Sequence, residues 1–462
     1  MSRSNLSQSI ATLLLLLLSA YLLHRAFSYS NQWRGMDFYQ FWAVGQAVST
    51  MHVDNIYSNL DRTRIGTEMA RRAAVDPKAS RHKSVAKRRL VLETYSSPFL
   101  YTLLGLLRFR TYETAFQIYR VFSLLCGLLA ILLFCRLLSY STLQTLAVIV
   151  IFTGWFEPFF SELRVLNVNL LQLMLLAILC WMLGKQCSEW WDVAIGFLIG
   201  FIVVFKPNTL FVGALLFAWY VFRGLLAKGL RMVVGAFVSM LFFGAISSWF
   251  FGSIYPWLDW TRALFALPDE IITPMHSNYS LTMMIAYLTG IDLSPFLLPL
   301  LFVFSIAFLW IICRHYRTTD ARHSAPEVEK DIMIVGLGCL IYLVAARLVW
   351  LHYYLLSVPS ILVLLYYHVI SPSKESRSQN PRRLLLALAI ALLSLNPLLT
   401  ILRVKTDYEA AVMSISGVLV LLYLTLSELW QWRTVDDGSF KRPADHSSVG
   451  SRPNVVTGRE EP

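Results

Sequence analysis

Long apolar runs alternate with short polar segments along most of the chain. The runs lie near residues 8–29, 94–107, 114–137, 142–158, 168–184, 190–205, 208–222, 231–251, 279–290, 294–313, 331–349, 352–370, 383–402 and 411–430. Most have roughly the 15–25 residues that a helix needs to cross a hydrocarbon core of about 30 Å. The pattern predicts an all-α, polytopic integral membrane protein with about twelve transmembrane helices and some short re-entrant or interfacial helices. The short alternating segments typical of a β-barrel are missing from the sequence.

Composition supports a membrane location and excludes a nucleic-acid partner. Of the 462 residues, 56% are hydrophobic and 15% are charged, whereas soluble domains carry about 25% charged residues. The net charge of +12 fits cytoplasmic loops and contact with anionic membrane lipids. The six cysteines form no C-x-x-C pair and are expected to be inert thiols.

Basic clusters near residues 223–231, 314–322 and 374–383 predict which loops lie outside. Placed in the cytoplasm, they put the loop 252–278 on the outer side and the disordered tail 434–462 inside. An uncleaved first helix that enters from the cytoplasm puts the loop 31–93 outside as well, and residues 1–433 form one transmembrane domain. Because a full crossing by 94–107 would put residues 167–169 inside, we expect that segment to be partial or re-entrant. The basic stretch 62–89 is interpreted most simply as a solvated or disordered insertion, and alternatively as a site for lipid headgroups or an anionic acceptor.

An acid surrounded by aromatic residues follows the first apolar run, in "RGMDFYQFWAVGQAV" (Arg34–Val48). An interfacial belt explains aromatic residues such as Trp33 and Tyr39, but it does not explain Asp37. An ionisable group in a membrane helix costs about 3 kcal/mol on insertion scales and is by default a functional-site hypothesis. Apolar surroundings raise the pKa of a carboxyl group and make it a better base.

Several cationic and amide side chains are assigned to the same outer face. Lys206 precedes the helix-breaking Pro207 and suits an anion, although a turn with a snorkelling lysine is equally compatible. The cations Lys206, His276, Arg347 and His352 together could hold a phosphate oxyanion. Asn167 and Asn169 could cap a helix or hydrogen-bond a sugar. The full set predicted to bind substrate is Tyr39, Trp42, Asn167, Asn169, Asn278 and Tyr353.

Six segments, taken in order, resemble one family. They are "MDFYQFWAVGQAV" with "NIYS", "TYSSPFLYTLLGLL", "LNVNLLQLMLL", "FKPNTLF", "HSNYSL" and "LHYYLLSVPSILVL". This order is similar to that of glycosyltransferase family 87, bacterial membrane enzymes with the GT-C fold that use polyprenyl-phosphate sugars. Ser97 stands where that family usually has a proline, and Leu166 and Asn167 stand in place of a glycine and a glutamine.

The resemblance implies a chemistry for these residues. The donor would be a polyprenyl-phosphate sugar, mannose first, and the acceptor a hydroxyl of an envelope glycan or glycolipid outside the bacterial inner membrane. Asp37 would be the general base of an inverting transfer, and the four cations would stabilise the departing phosphate. No cofactor and no metal are expected.

Three alternatives stay open at the level of sequence. A transporter or flippase of lipid-linked sugars also needs broken helices and polar groups at membrane depth. A ligase that moves a whole oligosaccharide differs only in the size of its donor. A non-catalytic membrane scaffold leaves the clustering of Asp, Lys and His residues unexplained.

Overall fold

The computed structural model describes residues 3–51, 53–77, 79–107, 109, 111–185, 188–267, 278–316, 328–370, 380–394 and 407–431. The first helices are α1 (Arg3–Gln32), α2 (Met36–Thr50), α3 (Asn59–Val75), α4 (Ser80–Ala86), α5 (Pro98–Leu106), α6 (Tyr112–Leu137), α7 (Thr142–Gly154), α8 (Glu157–Val165), α9 (Asn169–Leu183) and α10 (Glu189–Phe205). A 3₁₀ turn (Pro207–Thr209) leads into α11 (Leu210–Phe222), α12 (Leu226–Phe251), α13 (Tyr255–Phe265), α14 (Leu281–Thr289), α15 (Ser294–Tyr316) and α16 (Val328–Ala345). A second 3₁₀ segment (Leu351–Ser357) is followed by α17 (Val358–Leu365), a π-helical turn (Tyr366–Ile370), α18 (Asn380–Ser394) and α19 (Asp407–Gln431).

Six stretches are long and apolar enough to cross a membrane. They are Leu6–Gln32, Tyr112–Leu137, Leu226–Phe251, Ser294–Arg314, Leu351–Ile370 and Glu409–Gln431, and α7 with α8 makes a seventh if this pair, bent by 56°, is one span. Leucine and phenylalanine side chains of α1, α12 and α15 are exposed on the outer surface, where lipid chains would cover them. The structure confirms the all-α, polytopic membrane fold. The predicted number of spans stays a prediction, and the tail 434–462 lies outside the described residues.

Helix α5 is a short helix buried among other helices. Ser97 caps it by accepting a hydrogen bond from the Leu100 backbone N–H, and Pro98 occupies its first turn. Its nine residues rise only about 14 Å, which is half of a hydrocarbon core. The segment 94–107 is therefore too short to cross, as expected of a partial helix.

The interpretation of residues 62–89 as a solvated or disordered insertion is wrong. Helices α3 and α4 occupy most of this stretch. Ile65, Met69 and Ala73 are spaced by four residues and are buried in the same hydrophobic cluster as the aromatic residues of α2. The exposed side of α3 carries charge pairs such as Arg71 with Glu68, at 2.7 Å. The basic composition thus reflects one exposed face of an amphipathic helix, while the other face belongs to the core.

Close contact between α10 and α12 depends on glycines. A Cβ atom added at Gly196 would lie 1.9 Å from the Met232 carbonyl oxygen, and one added at Gly235 would lie 2.1 Å from that of Val193. Gly196 and Gly200 are spaced as in G-x-x-x-G, a pattern that lets membrane helices approach closely. Nothing lies within 4 Å of a Cβ added at Gly244, further along α12.

We therefore predict that Gly235→Ala destabilises the protein, because the added methyl group must push the two backbones apart. Overpacking of this kind costs about 1–3 kcal/mol. The measurement is the thermal unfolding midpoint of purified protein in detergent micelles. Gly244→Ala is the matched control and should leave the midpoint unchanged or higher. Equal midpoints for the two variants would contradict the packing argument.

Candidate active site

A glycine turn places Asp37 in the first turn of α2. Gly35 has φ 64° and precedes the helix, and a Cβ there would lie 2.9 Å from the Phe116 ring. The Tyr112 hydroxyl donates to the Gly35 carbonyl oxygen at 2.9 Å and also bonds that of Arg34. These contacts fix the direction in which α2 begins, and with it the position of the carboxyl group.

The Asp37 carboxylate is buried and is bonded to one amide. Its Oδ2 accepts a hydrogen bond from Asn167 Nδ2 at 2.7 Å and lies 3.6 Å from His352 Nε2. Burial raises the pKa of Asp37 to about 6 from its ordinary value of 3.8, and the Asn167 hydrogen bond and the charge of Arg89 oppose this rise. Helix α2 is not among the candidate membrane-spanning helices of the described residues, and the raised pKa brings the titration of Asp37 closer to neutral pH than that of an exposed aspartate.

The turn between α8 and α9 aims Asn167 at the acid. Leu166 ends α8 with φ 51° and ψ 57°, a left-handed conformation that costs a non-glycine residue about 1–2 kcal/mol. Its side chain is fully buried, which offsets that cost. The Tyr119 hydroxyl holds the turn by donating to the Asn167 carbonyl oxygen at 2.7 Å. The cap of α9 is Val168, whose backbone N–H donates to Asn167 Oδ1 at 2.7 Å. The Asn167 amide therefore contacts the start of α9 and also bridges other groups.

Lys206 points into the protein and does not snorkel. It ends α10 just before Pro207, and only 9% of it is exposed. Its Nζ donates to Asn167 Oδ1 at 3.2 Å and to Asn169 Oδ1. It also lies 4.0 Å from the centre of the Tyr353 ring, a cation–π contact. Asn167 therefore connects the lysine directly to Asp37.

Glu162 completes the cluster and was not predicted from the sequence. It is fully buried in α8, and its two carboxylate oxygens accept hydrogen bonds from the Asn169 backbone N–H at 3.1 Å and from Asn169 Nδ2 at 2.7 Å. Glu162 follows Phe159 and Phe160 in "FFSELRV", just after the apolar run 142–158, much as Asp37 follows the first apolar run. The resulting network runs from Asp37 through Asn167, Lys206 and Asn169 to Glu162, and we call it the polar network.

Other predicted site residues take separate positions. His352 and Tyr353 lie in the 3₁₀ segment beside the polar network. Arg347 Nε lies 3.6 Å from Asp292 Oδ2. Asn278 is 1% exposed. It donates to the Arg347 carbonyl oxygen and accepts from the Val349 backbone N–H, both at 3.0 Å, so it fixes the chain just before His352. His276 lies outside the described residues. The roles of these residues in binding stay predictions.

Tyr39 and Trp42 face away from Asp37. At about 100° per residue, they lie roughly 200° and 140° around α2 from the acid. Both rings contact His82 and Tyr112, and Trp42 Nε1 donates to the Phe109 carbonyl oxygen at 3.2 Å. Their predicted substrate contacts would therefore belong to a different side of α2.

Comparison with known proteins identifies the class. The model of glycosyltransferase family 87 matches residues 94–341, more than half of the chain, and the match includes Glu162, both asparagines and Lys206. The match and the apolar helices together define a membrane glycosyltransferase. The chain belongs to glycosyltransferase family 87. No curated protein and no solved structure matched it.

The polar network predicts that the single variant Lys206→Met is less stable than the double variant that carries both Lys206→Met and Glu162→Gln. The single change leaves buried acid groups without their cation, and breaking a buried charge pair costs about 3–5 kcal/mol. Thermal unfolding of the two single variants and the double variant in micelles measures the coupling. Additive losses would show that the two side chains act independently.

Proposed function

We propose that this protein transfers one hexose, mannose first, from a polyprenyl-phosphate-linked donor to a hydroxyl of a cell-envelope glycan or glycolipid, with inversion at the anomeric carbon. The reaction would occur on the outer face of the bacterial inner membrane. The observation that carries the proposal is the buried Asp37 carboxylate, which one amide joins to a buried Lys206. Family membership supports sugar transfer, and the resemblance of the motifs supports the lipid-linked donor.

Asp37 is assigned the role of general base. Its carboxylate takes the proton of the acceptor hydroxyl as the acceptor oxygen bonds to the anomeric carbon. A pKa of about 6 keeps the group ionised at neutral pH and leaves it more basic than an exposed aspartate. The Asn167 hydrogen bond to Oδ2 orients the carboxylate.

Lys206 and His352 are assigned to the leaving group. As the bond from the anomeric carbon to the phosphate oxygen breaks, polyprenyl phosphate departs with the bonding electrons and needs its charge stabilised. Lys206 has three N–H donors, of which two contact asparagine oxygens, so one remains for a phosphate oxygen. His352 Nε2 is buried without a hydrogen-bond partner and can contact the same group. We assign His276 and Arg347 to the donor phosphate as well.

Inversion is the part of the proposal that the carboxylates near the site support. In glycoside hydrolases, retention by double displacement uses a second carboxylate as nucleophile about 5 Å from the first. The second carboxylate of the polar network is Glu162, but both of its oxygens accept hydrogen bonds from Asn169. A single displacement with Asp37 as base is therefore the simpler mechanism.

The decisive experiment is Asp37→Asn, assayed with a panel of radiolabelled polyprenyl-phosphate sugars and membrane glycolipid. Loss of a general base lowers the rate by about 10²–10⁴-fold, while folding and donor binding should persist. Asp259→Asn is the control, since that acid forms its ion pair with Arg262 on the same helix. A wild type that moves the lipid-linked sugar across a bilayer but forms no glycosidic bond would favour the transporter.

The pH profile gives a second prediction. Because Asp37 must be ionised to accept a proton, kcat/KM should fall about tenfold per pH unit below its pKa of about 6. The Asn167 hydrogen bond lowers that pKa, so Asn167→Ala should move the acidic limb to higher pH. An unmoved limb in Asn167→Ala would assign the titration to another group.

A further inference from the structure

A cavity of about 150 Å³ lies on the other side of α2 from Asp37, between α2, α3, α4 and the start of α6. Its lining includes Trp42, Gln46, Arg72, Asp76, His82 and Glu113. Most of these residues precede position 94, where the family match begins. The cavity therefore belongs largely to a part of the chain that the family match does not cover.

One buried side chain in this cavity lacks a partner. His82 is 7% exposed, and its Nε2 has no hydrogen bond. Its backbone N–H donates to Glu113 Oε1 at 3.2 Å, and its ring packs against Tyr39, Trp42 and Tyr112. A buried polar atom without a partner costs about 1–3 kcal/mol. Burial lowers the pKa of His82, so the imidazole is neutral at neutral pH and can exchange a hydrogen bond with a neutral hydroxyl.

The lining fits a neutral polar ring. An apolar cavity of about 150 Å³ accommodates benzene, so the volume admits one six-membered ring. Gln46 Nε2 already donates to the Phe109 carbonyl oxygen at 3.1 Å, so Gln46 offers its amide oxygen, the two acids offer acceptor oxygens and Trp42 adds apolar surface. A hydrocarbon ligand would leave His82 Nε2 without a hydrogen-bond partner. A pyranose combines hydroxyls with an apolar C–H face and satisfies both kinds of surface.

Charge argues against an anion or a metal ion. The Arg72 guanidinium contacts Glu68 at 2.8 Å and Thr50 at 3.1 Å, while Asp76 and Glu113 add negative charge. Phosphate would meet net repulsion here. In the part of the chain that the structure describes, no three His, Cys, Asp or Glu side chains are grouped so as to hold a metal ion.

We propose that this cavity is a second saccharide-binding site, which holds one neutral sugar unit of the acceptor glycan while another unit reacts at Asp37. The proposal rests on the proposed function and narrows the acceptor to glycans of several units. The two sites share α2, and Tyr112, which also lines the cavity, bonds the backbone of the turn before Asp37. Cavity and catalytic acid are therefore held by the same rigid element.

The test is saturation-transfer NMR of the full chain in nanodiscs with methyl glycosides of mannose, glucose and arabinose. We expect binding to wild type and equally to Asp37→Asn. His82→Leu and Gln46→Leu should each raise the Kd at least tenfold. The matched control is Thr63→Val on the exposed side of α3, whose hydroxyl contacts only the Asn59 carbonyl oxygen. Two cavity variants are used because His82 is buried, and unfolding midpoints verify that each is folded.

Three results would overturn the proposal. The first is unchanged glycoside binding in both cavity variants. The second is loss of glycoside binding in Asp37→Asn, because the sugar would then bind at Asp37 and not in the cavity. The third is displacement of the glycosides by inorganic phosphate or Mg²⁺. A different result separates the two proposals. If no polyprenyl-phosphate sugar acts as donor, but glycosides still bind and His82→Leu weakens that binding, the proposed donor is wrong and the cavity site is supported.

Discussion

The polar network holds ionisable groups away from water, and the site depends on how the protein stabilises them there. An unpaired buried charge is too costly to retain, so each charged member needs hydrogen-bond partners at fixed positions. Two asparagines supply them by linking Asp37 to Lys206 and Lys206 to Glu162. The glycine turn before α2, the left-handed Leu166 and the helix break at Pro207 are the backbone features that bring these side chains together.

The use of amides in place of direct salt bridges has a chemical consequence. A lysine in contact with a carboxylate has its charge largely neutralised, whereas amide oxygens stabilise the ammonium group without cancelling its charge. Burial lowers the pKa of Lys206, and the charges of Glu162 and Asp37 oppose this fall, so in the proposed mechanism the phosphate of the donor would favour the charged ammonium group. The same amide orients Asp37 by donating to it, so one residue, Asn167, aligns the proposed base and the proposed phosphate ligand before any substrate arrives.

The long apolar runs predict the membrane fold, and the cost of ionisable groups among apolar residues predicts two members of the polar network, Asp37 and Lys206. The same criterion, applied to every acidic residue next to an apolar run, also selects Glu162. Tyr39 and Trp42 were assigned to the Asp37 site because they are near in sequence, although the 100° spacing of a helix turns them away. The helices in residues 62–89 are not evident from the sequence, because the many basic residues hide the four-residue spacing of the apolar residues Ile65, Met69 and Ala73. The conformation of Leu166 has no sequence signal, since only its surroundings hold it.

The two faces of helix α2 contact different parts of the chain. One face contributes the acid to groups that the family-matched region supplies, and the other packs on α3 and α4, which lie before that region. A change in the α3–α4 segment can therefore alter the second face without disturbing the Asn167 and Lys206 side chains. Because a helix is rigid across its diameter of about 10 Å, whatever binds on the second face is positioned relative to Asp37. In the proposed mechanism, recognition of the acceptor and sugar transfer can thus vary separately while their geometry stays linked.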